Sequence, residues 1–80
     1  HQAISRVTRA EREETALLSV REREVLHWAA SGKTFEEAGM ILGISRKTVE
    51  AHMYKAMRKL DVYNTPQAVT KAILLGLIQP

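Results

Sequence analysis

The chain has 80 residues, 45% hydrophobic and 26% charged, with a formal net charge of +3 and no cysteine. A chain of that length makes one small domain that buries only about 60% of its unfolded surface. Disulfides and thiolate metal sites are excluded, and a reducing compartment is permitted. No apolar run approaches the roughly 20 residues of a membrane span, and no signal peptide pattern is present. Because the first residue is His1 rather than methionine, a fragment or processed product is expected.

The placement of charge is more informative than its sum. Up to Leu18, Arg6, Arg9 and Arg12 cancel Glu11, Glu13 and Glu14. From Ser45 to Leu60, five basic residues (Arg46, Lys47, Lys55, Arg58, Lys59) stand against Glu50 alone. Such clustering is the footprint of a polyanion partner, although a solvated basic face is the commoner fate of short charge runs.

Residues 1–16 show no sustained apolar period and read as a linker or frayed helix, leaving 17–80 as the domain. Ser19 with Glu22 fits the S/T-x-x-E capping box, in which side chains satisfy the orphan donors of a helix start. The helix that follows supplies Val25, Leu26, Trp28 and Ala29 to a core. Arg21, Arg23 and Glu24 face outward, and the charges of REREVL read as a solvated face. Gly32 follows as a C-terminal cap. Thr34 with Glu37 marks a second start, and this short helix buries Phe35, Ala38, Ile41 and Leu42 before Gly43 closes it. The turn Gly43, Ile44, Ser45 leads to a third helix, capped by Ser45 and running to about Leu60. Thr65 with Pro66 at the first helical position opens a fourth, which Gly76 ends. The prediction is all-α, with four helices and no strand.

A short helix, a tight glycine turn and a longer helix make a helix-turn-helix signature. At about 100° per residue, Val49, Met53, Ala56, Met57 and Leu60 share one arc of the third helix, the width of a core stripe. Lys47, Ala51, Tyr54, Lys55 and Arg58 fall on the opposite side, with Glu50 on one flank and Thr48, His52 and Lys59 on the other. A helix presenting donors in this way fits the major groove of B-DNA, while surrounding phosphates attract Lys and Arg.

Leu18-Ser19, REREVL, Trp28-Ala29, Gly32-Lys33-Thr34, Glu37, Leu42-Gly43-Ile44-Ser45, Thr48-Val49, His52, Lys59-Leu60 and AILLGLI together resemble the LuxR-type helix-turn-helix domain. The resemblance covers about Leu17 to Ile78. The tail QAVTKAILLGLI is most similar to the quorum-sensing branch that binds acyl-homoserine lactones. The resemblance implies a bacterial, cytoplasmic, nucleoid-associated transcription factor, with a signal-binding domain upstream that would hold the lactone and no cofactor in this domain. Its base-reading positions fall on Glu50, Ala51 and Tyr54, and its phosphate positions on Ser45, Thr48, Lys55 and Lys59. The helix face adds Lys47 to the first set and Arg46 and Arg58 to the second. Basic residues are common in the family where this chain has Glu50 and Tyr54, so the operator is not transferable. Gly39 stands where the motif has Ala, and glycine inside a helix costs about 1 kcal/mol relative to Ala.

Other readings remain open. Ser45 is a helix cap before it is a phosphate ligand, and Tyr54 could touch only sugar or phosphate. His27 and His52 lack a second ligand at metal-binding spacing, so no metal site is expected. Ser45, His52 and Asp61 lack the glycine elbow of a hydrolase, so no enzyme is expected. The alternative function is a sigma-factor-like promoter or RNA polymerase interaction module, since sigma factors share REREVL and LGIS. The fourth helix carries more apolar surface than one core-facing stripe needs. Its ridge of Pro66, Thr70 and Leu74, with Ile73 beside it, reads as a homodimer contact, and the competing reading is a fully buried terminal helix.

Overall fold

The computed structural model describes residues 18–79. Among these, the helices are α1 (Val20–Ala30), α2 (Phe35–Leu42), α3 (Arg46–Leu60) and α4 (Thr65–Leu74), with no strand. The linker reading of residues 1–16 lies outside the described residues. No helix described is long and apolar enough to cross a membrane.

Each helix begins on a side chain that accepts from the backbone three residues on. Ser19 and Thr34 form complete capping boxes with Glu22 and Glu37, and Ser45 accepts from the Thr48 N–H. The fourth start differs from expectation by one residue. Asn64 is the cap, its side chain accepting from the Gln67 N–H, so Thr65 is the first helical residue and Pro66 the second. The Asn64 carboxamide oxygen makes that bond, and Pro66 still occupies a position whose N–H has no helical partner.

All four described helices also end alike. A residue in the left-handed region follows each one: Gly32 (φ 87), Gly43 (φ 74), Asp61 (φ 58) and Gly76 (φ 75). The next N–H then reaches back to the carbonyl five residues earlier, as from Lys33 to Trp28 and from Ile44 to Gly39. This arrangement satisfies carbonyls that would otherwise be orphaned.

The helix α3 is the hub, packed against α1, α2 and α4. Its buried stripe of Val49, Met53, Ala56 and Leu60 meets Val25 and Leu26 of α1, Ala38 of α2, and Ala68 and Ala72 of α4 in one core. Met57, Trp28, Ala29, Phe35 and Leu42 pack around it, half-buried. Ile41, expected in the core, is 47% exposed. The helix α2 has only eight residues, and Ala38 with Gly39 already takes up its close approach. Gly39 is buried where an added Cβ would lie 2.6 Å from the Ile44 carbonyl oxygen, so the helix-turn-helix corner closes backbone against backbone.

The charges of REREVL are not uniformly a solvated face. Arg21 and Arg23 are exposed and Glu24 is half-buried, whereas Glu22 is only 3% exposed. Its burial is tolerated because Lys59 reaches it from α3, Nζ to Oε1 at 2.8 Å. A second lysine fixes the far end of α3, where Lys71 of α4 donates to the Leu60 carbonyl at 2.7 Å.

Candidate nucleic-acid interface

Ser45 sets the start of α3 by accepting from the Thr48 N–H at 3.0 Å, and the two hydroxyls share a hydrogen bond of 2.9 Å. From this start the helical period turns Lys47, Glu50, Ala51, Tyr54, Lys55 and Arg58 outward, and all six are exposed. Ser45, Arg46 and Thr48 are exposed at the same end. The structure therefore brings nearly all the sequence-predicted contact residues onto one free face of α3. His52 and Lys59 sit half-buried on its flank.

The charges on this face are organised. Arg46 and Glu50, one turn apart, form an ion pair with Nε to Oε2 at 2.9 Å. Exposed i,i+4 pairs of this kind stabilise a helix by only about 0.3–0.5 kcal/mol, so a phosphate or a base could separate them at small cost. The Arg58 guanidinium lies 5.9 Å from the centre of the Tyr54 ring, which orients both side chains. Lys47 and Lys55 have no ion-pair partner among the described residues. Their fields point outward, which is the property a polyanion would sense.

Lys59 differs from the other basic residues because its ammonium is held by Glu22. Burial pushes the Glu22 carboxyl up, but the hydrogen bond from Lys59, the Ser19 N–H and the charges of Lys59 and His52 together hold it below its ordinary value. Sequence reasoning assigned Glu22 to a cap and did not reach this pair. The capping box foretells only the local bond to Ser19, and nothing in the spacing of Glu22 and Lys59, 37 residues apart, signals the distant one. Lys71 was missed for the same reason.

On α4, Pro66, Thr70 and Leu74 are exposed, Leu74 at 68%. Ala68 and Ala72 are buried and Ile73 is half-buried against the core. The fully buried terminal helix is therefore not what forms. The ridge is free, and Ile73 contributes only its partly exposed edge.

A short helix joined through a tight turn to a longer helix with a buried stripe and a basic outer face defines the helix-turn-helix class. Residues 16–72 match the family described as bacterial regulatory proteins, luxR family, and the chain belongs to that family, as a DNA-binding domain of its transcriptional regulators. It is 48% identical over 64 residues to the transcriptional activator protein YukR of Yersinia ruckeri, covering 80% of this chain and 28% of that protein. It is 53% identical over 62 residues to the transcriptional activator protein CarR of Pectobacterium carotovorum subsp. carotovorum, covering 78% and 25%. The HTH-type quorum sensing-dependent transcriptional regulator RpaR of Rhodopseudomonas palustris is 52% identical over 62 residues, covering 78% and 26%. The chain thus spans about a quarter of the length of these relatives. Among solved structures, that of the transcription factor GerE superposes with a TM-score of 0.75 at 32% identity, covering 79% of this chain and 94% of that one.

Proposed function

We propose that this domain binds a palindromic operator as a dimer, with α3 in the major groove. Lys47, Glu50, Ala51 and Tyr54 read bases, while Ser45, Arg46, Thr48, Lys55, Arg58 and Lys59 meet phosphates. The observation that carries the reading is the division of α3 into a fully buried stripe and an opposite face of exposed donors and acceptors. Such a helix has the shape and chemistry to read base edges. Pro66, Thr70, Leu74 and the edge of Ile73 form the contact between copies, since their ridge is exposed on a helix otherwise packed into the core. A two-fold axis there would set the two α3 helices about one DNA turn apart, roughly 34 Å.

The names of the relatives extend the reading. RpaR is titled a quorum sensing-dependent regulator and YukR and CarR are titled activators. On that footing the domain works in the bacterial cytoplasm under a signal domain that takes an acyl-homoserine lactone, and acts on RNA polymerase. Selection of binding sites from a random duplex pool tests the DNA role. The expected outcome is a symmetric motif with half-sites about one turn apart, and a Glu50→Gln variant whose motif changes at one position per half-site. Recovery of no motif would reject sequence-specific binding.

A further inference from the structure

The buried carboxylate that packs beneath the flank of α3 has no assigned part in recognition. Glu22 lies near the N-terminus of α1 with its side chain 4% exposed, and its Oε1 accepts from both the Ser19 N–H at 3.0 Å and the Lys59 ammonium at 2.8 Å. The first bond fixes the carboxylate to the helix cap and the second fixes the head of a lysine in the last turn of α3. The Lys59 side chain remains 34% exposed. Thr48, His52 and Lys59 share this flank of α3, and the charge of His52 also acts on the Glu22 carboxylate. Lysine is a flexible stem with a point charge, and an interface that leaves it mobile must order it on binding. An ammonium has three donors, and the bond to Glu22 uses one of them.

We propose that Glu22 is a positioning residue of the DNA interface, holding Lys59 in place for a backbone phosphate before DNA arrives. The inference rests on the DNA-binding reading above. It carries two consequences of opposite sign. A held ammonium favours the one register in which a phosphate meets it, which raises affinity for the specific site. The carboxylate behind it also lowers the local positive field, which weakens attraction to any duplex.

Glu22→Gln separates this role from capping, because glutamine at that position still completes a capping box but carries no charge. In the folded variant, affinity for a scrambled duplex should rise and its salt slope steepen by up to about one unit. The ratio of affinities for the selected duplex over the scrambled one should fall about two- to tenfold, the worth of one immobilised long side chain. In a Lys59→Met background the same substitution should leave the ratio unchanged, because Glu22 acts through Lys59. Glu22→Asp, which keeps the charge but shortens the reach, should lower the ratio without steepening the slope. It serves as the test should the glutamine variant not fold. An unchanged ratio in a folded variant overturns the positioning role, as does a fall that persists without Lys59. If the unsubstituted protein shows no salt-dependent binding to any duplex, the DNA-binding reading itself fails and this role fails with it.

Discussion

Ser19 and Thr34 open α1 and α2 with the same capping box, yet the glutamates that complete the two boxes end in opposite surroundings. Glu22 is buried and bonded across the domain to Lys59, whereas Glu37 is exposed and bonds its own cap, Oε1 to the Thr34 N–H at 2.9 Å. Both carboxyls are held below their ordinary value, but for different reasons. For Glu37 the backbone bond from Thr34 is the largest influence, while for Glu22 the largest is a burial penalty that Lys59 and Ser19 outweigh. One motif therefore specifies a local bond and leaves the tertiary role open. What α2 uses for its close contact with the turn into α3 is the absence of a side chain, at Gly39.

Substitution at Gly39 should have the largest effect and test that contrast from the side of α2. With the Ile44 oxygen only 2.6 Å from a Cβ position, and Ser45 and Arg46 backbone atoms at 3.4 Å, the β carbon of valine already forces the backbone to shift. Overpacking costs typically about 1–3 kcal/mol, and a backbone obstacle places Gly39→Val at about 3 kcal/mol. The midpoint of denaturant unfolding measures it. A variant as stable as the parent would show that the corner opens freely.

Lys59→Met attacks α1's contact. It leaves the Glu22 carboxylate buried without its cation, which for fully buried pairs costs about 3–5 kcal/mol. The Lys59 side chain is 34% exposed, so water can replace part of the ammonium and about 2 kcal/mol is expected. If stability is unchanged, Glu22 is held by the cap alone and the two boxes are equivalent after all.

How much was legible follows the same line between local and distant. Caps, turns and the stripe of α3 repeat at short spacing, so Ser19, Thr34, Gly43, Ser45, Val49, Met53 and Leu60 were all placed from the sequence. The exposed face of α3 follows from the same period. What failed was set by partners far along the chain. Glu22 reads as solvated until Lys59 is brought to it, and Ile41 has the spacing of a core residue but is left exposed among the described residues. The start of α4 slipped by one residue because Asn64 and Thr65 are both good caps, and only the bond to Gln67 decides between them.

Acid should distinguish the two boxes next. A carboxyl held below its unfolded value contributes stability that is fully present above the ordinary range near 4.5. That stability is lost as pH falls through the lowered folded value. The parent should therefore weaken on acidification below about that range. Glu22→Gln should flatten the acid limb of a stability profile followed by circular dichroism, because it removes the buried member of the pair. A limb equally steep in the variant would assign acid sensitivity to other groups.

Glu37→Gln should have the smallest effect and is the sharpest control on the comparison. Glutamine keeps an oxygen able to accept the Thr34 N–H, so the capping box persists. The charge it removes lies in water on the first turn of α2, where it interacts with Lys33 and the helix N-terminus through a well-screened field. No distant residue among those described depends on it through a hydrogen bond or ion pair. The melting temperature should fall only slightly, and the ratio of specific to scrambled DNA affinity should match the parent within measurement error, where Glu22→Gln lowers that ratio. Should Glu37→Gln instead lower that ratio, the acidic first turn of α2 belongs to the interface, and the division between a local box and a load-sharing one would have to be redrawn.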